Sequence, residues 1–312
     1  TAPPDALVAL LGADGEWVVG ESLAEARALS GKVQGRRTTA PLRWPIEVPA
    51  ASGDGWVRTL RTTWVEPGYL EPDASWCLPG GEPVSSHGNG GAFGGKTDGT
   101  VAAVARRLAD QHGRPVRVLY TREDVVRRGP KRPPLAAGVR ADGTGVAHVA
   151  RTPGLVDVAV PGWELVEVDV PGPATSLALR GAVTAELAVL QASLQPGPDY
   201  TVGPATARID ADGTVHVAVD AGDPLDEAVL RSYVVGATHM ALGWVTSEGL
   251  SVDDEGNPLD LTIRSFGILR AVDMPAVEVT VGDDGAFSEK LTRTVAAASD
   301  EALALAGALA GQ

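Results

Sequence analysis

The stretch Gly90-Gly91-Ala92-Phe93-Gly94-Gly95-Lys96-Thr97 is the sharpest local feature of the sequence, and a helical pattern starts just after it at Thr100. Glycines allow the backbone to approach a ligand closely, and a helix N-terminus offers free N–H groups and a positive dipole. Together these features suit a phosphate or another anion. The loop is therefore the leading candidate for a binding site.

Two other interpretations of this loop stay open. The string fits the P-loop pattern G-x-x-x-x-G-K-[ST], but that pattern needs a hydrophobic strand directly before it, and Pro83–Asn89 is polar. A Walker-B-like run, Val215–Asp220, lies in a predicted hairpin. The other interpretation is a glycine-rich turn that only lets a helix pack. His87, beside the loop, is either an acid/base group or a solvated loop residue.

Periodicity and turn signals predict helices and hairpins without a regular βαβ rhythm, so the fold class is α+β with mixed sheets and packed helices. Asp142-Gly143 and Asp212-Gly213 are hairpin turns, and residues 66–99 are predicted to form a long functional loop or several tight turns. Two lobes are expected, 1–196 with the Gly-rich loop 90–97, and 203–312 ending in an Ala-rich helix, joined near 195–203.

The predicted strands are Ala6–Leu11, Glu16–Gly20, Trp56–Val65, Pro115–Tyr120, Ala205–Ile209, Val215–Val219, a run to Leu250, Leu259–Ile263 and Val277–Val281. The predicted helices are one capped by Ser22 and Glu25, Thr100–His112, a turn from Thr121, Leu177–Leu194, Leu225–Val245 and Glu289–Ala310.

Composition limits the partners. The 312 residues carry a net charge of −14, which argues against nucleic acid as a general partner because phosphate binding needs clustered Lys and Arg. Such acidity fits a solvated surface or docking on a basic partner. Cys77 is the only cysteine, so neither an internal disulfide nor a cysteine-held Fe–S cluster is expected. With no apolar run of membrane-spanning length and no signal-peptide pattern at its start, the chain is expected to be cytoplasmic and away from membranes.

Five collinear segments resemble the molybdenum-binding large subunit of the xanthine dehydrogenase/aldehyde oxidase family, which includes the aerobic carbon monoxide dehydrogenase large subunit. Gly90–Lys96 is similar to that family's GGGFGGK segment. Tyr69-Leu-Glu-Pro-Asp-Ala resembles its LEPHxA segment. The other similar segments are Glu16–Ala28, Ala105–Pro133 and Gly236–Pro258, the last followed by Asp273–Val279.

The resemblance implies a function and a set of roles. The fold would be the two-lobed molybdenum cofactor-binding domain, with molybdopterin as cofactor and the loop Gly90, Gly91, Ala92, Phe93, Gly94, Gly95 and Lys96 beside the metal. Glu289 stands where the family has its base, and Arg180 stands in a substrate-side Arg-Gly motif. The reaction would be oxidation of an aldehyde or an N-heterocycle. Electrons would leave through separate Fe–S and flavin subunits, because one cysteine cannot hold a cluster.

The sequence also departs from the family, as a strongly shortened homologue. It lacks the QGQGxxT-type loop that wraps the pterin, Ser232-Tyr233 replaces a GQ pair, and the segment around Glu289 has lost its glycines. A cofactor that is buried on all sides needs protein segments that enclose it and bind it. Either a second cofactor-binding chain completes the pocket, or the chain is a cofactor-free descendant. That descendant would act as a binding or scaffold subunit, or as a non-redox enzyme on a small anionic ligand held near Gly90–Lys96, His87 and Glu289.

The remaining polar residues are assigned ordinary structural roles. His239, on an apolar helix face, is expected to be a satisfied core histidine, and Cys77 has no His or Asp partner in the sequence that would activate it. The basic run of Arg127, Arg128, Lys131 and Arg132 is expected to be a solvated loop, although it could bind an anion or an acidic partner.

Overall fold

The computed structural model describes residues 1–32, 41–51, 55–68, 72–85, 99–195, 199–202 and 204–282. It has three sheets with helices packed on them, which confirms an α+β fold with mixed sheets. The strands are β1 (Leu7–Leu11), β2 (Trp17–Gly20), β3 (Arg58–Arg61), β4 (Ala74–Cys77), β5 (Val84–Ser85), β6 (Val116–Leu119), β7 (Leu135–Val139), β8 (Gly145–Ala150), β9 (Trp163–Val168), β10 (Tyr200–Val202), β11 (Ala205–Ile209), β12 (Val215–Asp220) and β13 (Val277–Gly282). The helices are α1 (Leu23–Leu29), α2 (Thr100–His112), α3 (Arg122–Arg128), α4 (Thr184–Ala192) and α5 (Glu227–Thr246).

The first sheet has the order β2-β1-β6-β4-β5, with β1 and β6 parallel. The buried side of α2 packs on it, as the spacing of apolar residues predicts, and Gly113 ends the helix in the left-handed conformation. The prediction of a long functional loop or several tight turns over 66–99 is wrong where β4 and β5 lie. These strands are too short for a period-2 pattern to reveal, and β4 forms by antiparallel pairing with the distant β6.

The second sheet has the order β3-β7-β8-β9, and the Asp142-Gly143 turn joins β7 to β8 as predicted. The helix predicted from Leu177 begins only at Thr184. The reason lies in the backbone, since Arg180, Gly181 and Val183 all have positive φ angles of 52°, 60° and 73°. Such angles cannot be part of an α-helix.

The third sheet has the order β10-β11-β12-β13, and the Asp212-Gly213 hairpin is confirmed. Helix α5 connects β12 to the parallel β13. The predicted strands ending at Leu250 and over Leu259–Ile263 are wrong. This segment packs Leu250, Val252 and Phe266 into a core with Trp64 instead of joining a sheet.

Two predictions are not tested by the described residues. The boundary between two lobes near 195–203 stays a prediction, and the Ala-rich helix Glu289–Ala310 lies outside the described residues. No described helix is both long and apolar enough to cross a membrane.

Candidate functional site

Arg180 is the one predicted catalytic residue that the structure describes, and it lies in the strained turn before α4. Its side chain is 15% exposed, and its Nη1 donates to Oε2 of Glu248 at 2.6 Å. Glu248 follows the end of α5, where its own N–H donates to the carbonyl oxygen of Gly243 at 2.7 Å. The ion pair therefore joins the turn before α4 to the end of α5.

A second ion pair lies deeper, between Arg132 and Glu186. Arg132 Nη2 is 2.9 Å from Glu186 Oε2, and both side chains are buried. The contact is an ion pair without well-directed hydrogen bonds. The Arg132 guanidinium also lies over the Trp244 ring, 4.0 Å from the centroid, which is a cation–π contact. Burial raises the pKa of Glu186, and Arg132 opposes that shift.

A third buried pair joins Lys131 to Glu66. Lys131 Nζ is 2.9 Å from Glu66 Oε2, and it also donates to the carbonyl oxygens of Val125, at 3.3 Å, and Gly129. Burial lowers the pKa of Lys131, and the Glu66 carboxylate counteracts part of that shift. Both side chains are almost fully excluded from solvent.

These contacts correct the prediction of a solvated basic loop. Arg127 and Arg128 are exposed, but Lys131 and Arg132 are buried. Their carboxylate partners come from distant parts of the chain, so the local run of Arg, Lys and Pro gave no sign of burial. The three ion pairs are called the buried charge cluster below: Lys131–Glu66, Arg132–Glu186 and Arg180–Glu248.

The turn at 180–183 is strained between two of these pairs. Val183 is a fully buried β-branched residue with φ 73° and ψ −60°, a conformation that L residues rarely adopt. Such outliers cost about 1–3 kcal/mol each and persist only where the surroundings enforce them. Here Arg180 is held from one side by Glu248, and Glu186 is held from the other by Arg132. The cluster thus fixes the position of the Arg180 guanidinium.

Two clefts lie beside this cluster. The smaller one, about 220 Å³, is bordered by Glu66 and by Arg122, Glu123, Thr262 and the ring of Phe266. The larger one, about 920 Å³, runs past Trp64 along residues 150–156 and 167–175. Its charged wall is Arg151 paired with Glu167 and Asp169. Carboxylates outnumber cations in both, which does not suit an anionic ligand.

Other polar candidates have structural roles. His239 Nε2 lies 2.8 Å from the carbonyl oxygen of Leu269, so the histidine is hydrogen-bonded as predicted, but it is half-buried and not part of the core. Among the described residues, no group of three or more His, Cys, Asp or Glu side chains could hold a metal ion.

Cys77 is buried in β4 and is not an activated nucleophile. Its Sγ–H donates to the carbonyl oxygens of Leu78 and Gly81 at 3.2 and 3.3 Å, and burial raises its pKa. We expect its reaction with Ellman's reagent to be at least about a hundredfold slower in the native protein than in urea, because it must wait for local opening. A comparable rate in both conditions would show that the thiol is accessible.

The other predicted site residues lie outside the described part of the chain. These are His87, Gly90, Gly91, Ala92, Phe93, Gly94, Gly95, Lys96 and Glu289. Among the predicted site residues the structure describes only Arg180, and it adds five charged residues that the sequence did not indicate as a cluster. The sequence signal for three of them is that Lys131, Arg132 and Glu248 lie in segments with family-like residues.

Comparison with known proteins places this fold in a class. Residues 190–275 match a family model described as the molybdopterin cofactor-binding domain. The chain is also similar in structure to reconstituted CO dehydrogenase from Oligotropha carboxidovorans, with a TM-score of 0.58 and 9% identity over 81% of this chain and 71% of that one. No curated protein matches the sequence.

A second solved structure gives the same result. Quinoline 2-oxidoreductase from Pseudomonas putida 86 aligns with a TM-score of 0.57 and 9% identity, covering 94% of this chain and 81% of that one. The fold is thus that of molybdenum hydroxylase cofactor-binding domains. The resemblance to the molybdenum-binding large subunit of the xanthine dehydrogenase/aldehyde oxidase family is confirmed, in a chain of only 312 residues.

The buried cations described here do not fit the anionic pterin that this fold implies. Lys131, Arg132 and Arg180 are each matched by a carboxylate at 2.6–2.9 Å, so the cluster has no surplus positive charge to offer. The donors that the resemblance assigns to the cofactor, Gly90–Lys96, lie outside the described residues.

Proposed function

We propose that this chain is a molybdopterin-binding hydroxylase subunit that oxidises an aldehyde or an N-heterocycle once a partner chain completes its pocket. The observation that carries the proposal is Arg180, held by Glu248 on a strained turn. The turn precedes α4, and Glu248 lies inside the segment that matches the molybdopterin-binding model. A cation fixed in this way is suited to orient a polar substrate, because its position costs no reorganisation when the substrate binds.

The other roles follow from the resemblance. The backbone of Gly90–Lys96 would hold the cofactor, and the oxidation would be the cofactor's own chemistry. Glu289 would accept a proton as general base. Fe–S and flavin subunits would take the electrons, because Cys77 is the only cysteine and it is buried.

A second candidate function is supported by the charge balance of the cluster. Each buried cation already has a carboxylate, which is what a framework without an anionic cofactor would retain. In that case the chain is a cofactor-free descendant. It would serve as a binding or scaffold subunit, or act without redox chemistry on a small anionic ligand.

Metal analysis separates the two candidates. We expect protein made in a host that builds the cofactor to carry near-stoichiometric molybdenum and to release a fluorescent pterin on denaturation. The measurement is elemental analysis of the purified chain, made alone and together with its partner chains. Absence of molybdenum from both preparations would overturn the hydroxylase proposal and leave the cofactor-free one.

A paired substitution then tests the base. If the loaded protein oxidises an aldehyde, Glu289→Gln should lower kcat by about 10²–10⁴-fold while the molybdenum content stays unchanged. Glu301→Gln, in the same segment, is the matched control and should keep full activity. Equal activity in both variants would remove Glu289 from the mechanism.

A further inference from the structure

The first sheet has a cleft on the face opposite to α2. Successive side chains of a strand point to opposite faces of its sheet. Cys77, Val116 and Val118 belong to the core that packs on α2, so Trp76 and Arg117 lie on the opposite face. Both border a cleft of about 580 Å³, which is within the usual volume range of small-molecule sites. We call it the Trp76–Arg117 cleft.

A row of four side chains crosses this cleft, one from each of four neighbouring strands. Arg117 of β6 pairs in register with Val8 of β1 on one side and with Trp76 of β4 on the other. Trp76 in turn pairs with Val84 of β5. Strands β4 and β6 are antiparallel, and paired side chains of antiparallel strands are neighbours on one face. The guanidinium and the indole therefore border the same space.

The charge of this cleft distinguishes it from the two clefts beside the buried charge cluster. Arg117 is the only charged side chain among its described lining residues, and it forms no ion pair with another described residue. In both other clefts carboxylates outnumber cations. A cleft whose charged side chain is a cation favours an anionic ligand, even in a protein with a net charge of −14.

The rest of the lining is mostly apolar. Residues 2–4, the half-buried Ala6 and Val8, and the exposed Val84 contribute to it. The Trp76 indole is half-buried, so part of it is open to a ligand. Aromatic rings pack favourably on an indole, and a guanidinium can bind a carboxylate through two parallel hydrogen bonds. The cleft thus combines a surface for a ring with a group for an anion.

We propose that the Trp76–Arg117 cleft binds a small aromatic carboxylate, whose carboxylate contacts the Arg117 guanidinium and whose ring packs on the Trp76 indole. A cationic ligand would meet the charge of Arg117 with no carboxylate of the described lining to oppose it. A purely apolar ligand would cover the guanidinium without pairing it, which costs free energy. An aromatic carboxylate satisfies both parts of the cleft.

This site is distinct from the region that the family model matches. None of its described lining residues falls within 190–275, and Arg180 is not among them. The proposal therefore does not depend on whether the chain binds molybdopterin. In protein that carries molybdenum, Arg117→Gln should leave the molybdenum content unchanged. Loss of molybdenum from this variant would make the cleft part of the cofactor site and would overturn the proposal of a separate one.

Three probes of similar size test the charge preference of the cleft. Naphthoate, naphthamide and naphthylmethylamine share a ring system and carry a negative charge, no charge and a positive charge. In isothermal titration calorimetry of the purified chain, naphthoate should bind at least about tenfold more tightly than naphthamide, because charge-assisted hydrogen bonds are stronger than neutral ones. The amine should bind most weakly. Equal affinities for naphthoate and naphthamide would overturn the proposal.

Substitution of the arginine locates the binding. Arg117→Gln should weaken naphthoate binding by about tenfold or more and leave naphthamide binding unchanged. Arg107→Gln is the matched control, since Arg107 is an exposed residue of α2, on the other side of the sheet. It should leave the affinity for naphthoate unchanged. Equal affinities of the two variants for naphthoate would show that the probe binds elsewhere, against the proposal.

A second pair of variants differs only in charge. Val84 is 47% exposed on β5, so a polar side chain there should not disturb the core. Val84→Asp should bind naphthoate about fivefold or more weakly than Val84→Asn, because the added carboxylate repels the anion. Naphthamide should bind both variants alike. The proposal fails if naphthoate does not distinguish them.

Discussion

Replacing Glu66 by leucine is expected to destabilise the protein by about 3–5 kcal/mol, because it leaves the Lys131 ammonium buried without its carboxylate. The side chain of Lys131 is 0% exposed, and Glu66 Oε2 lies 2.9 Å from its Nζ. The carbonyl oxygens of Val125 and Gly129 remain as acceptors, but neutral groups cannot replace the lost charge. Urea unfolding followed by circular dichroism measures the change.

The pH dependence of this variant has a definite sign. Burial already lowers the pKa of Lys131, and loss of Glu66 removes the group that raises it. A lysine with a depressed pKa in the folded state binds fewer protons than in the unfolded chain, so the penalty grows as pH falls below the unfolded-state pKa and becomes constant once pH is below the folded-state pKa. The deficit relative to wild type should therefore be smaller at pH 9.5 than at pH 7.

Two controls separate the buried charge from a general effect of losing a glutamate. Glu47→Leu removes an exposed partner of Arg61 and should cost at most about 1 kcal/mol. The double variant Glu66→Leu with Lys131→Met should recover much of the loss, since no unpaired charge remains. A double variant as unstable as Glu66→Leu alone would contradict this account.

The parts of the fold that the sequence predicts are those with local causes. The apolar face of helix α2, its boundaries and its terminal Gly113 can all be predicted from consecutive residues. The turns at Asp142-Gly143 and Asp212-Gly213 are equally local. By contrast, β4 exists because it pairs with β6, some forty residues away along the chain. No pattern within Ala74–Cys77 predicts that pairing.

The buried charge cluster was missed for a related reason. Arg132 forms an ion pair with Glu186 of α4, and Lys131 forms one with Glu66, which precedes α2 in the chain. A run of basic residues between prolines looks the same in a sequence whether it is solvated or matched by distant carboxylates. The segment before Thr184 is predicted as helix because its apolar spacing is helical, whereas Val183 in the folded chain has a positive φ of 73°.

For the candidate site the sequence contributed the family and the residue Arg180. It did not reveal that Arg180 is held by Glu248, because that pairing joins the turn before α4 to the end of α5. Physical proximity across elements is what makes the cluster a single unit. Breaking one of its ion pairs should therefore disturb the backbone that positions Arg180.

Replacing Arg132 by methionine is the sharpest test of this coupling. Methionine keeps much of the packing against Trp244, but it leaves the Glu186 carboxylate buried without an opposing charge. We expect a loss of about 3–5 kcal/mol in the free energy of unfolding near neutral pH. Arg270→Met, at the exposed pair with Asp273, is the matched control and should cost at most about 1 kcal/mol.

The loss should also depend on pH in a direction opposite to that of Glu66→Leu. Burial raises the pKa of Glu186 above its ordinary value of 4.5, and removal of Arg132 takes away the charge that lowers it. The folded variant would then hold a proton that the unfolded chain releases, so its stability is retained at low pH and falls as pH rises, by about 1.4 kcal/mol per pH unit up to the folded pKa.

Urea unfolding of wild type and variant at pH 5.5 and pH 7.5 measures the difference directly. The deficit of Arg132→Met should be clearly larger at pH 7.5, while that of Arg270→Met should be the same at both. A deficit for Arg132→Met that does not change with pH would mean that Glu186 remains ionised without Arg132. The Arg132–Glu186 pair would then not be the contact that stabilises the strained turn carrying Arg180.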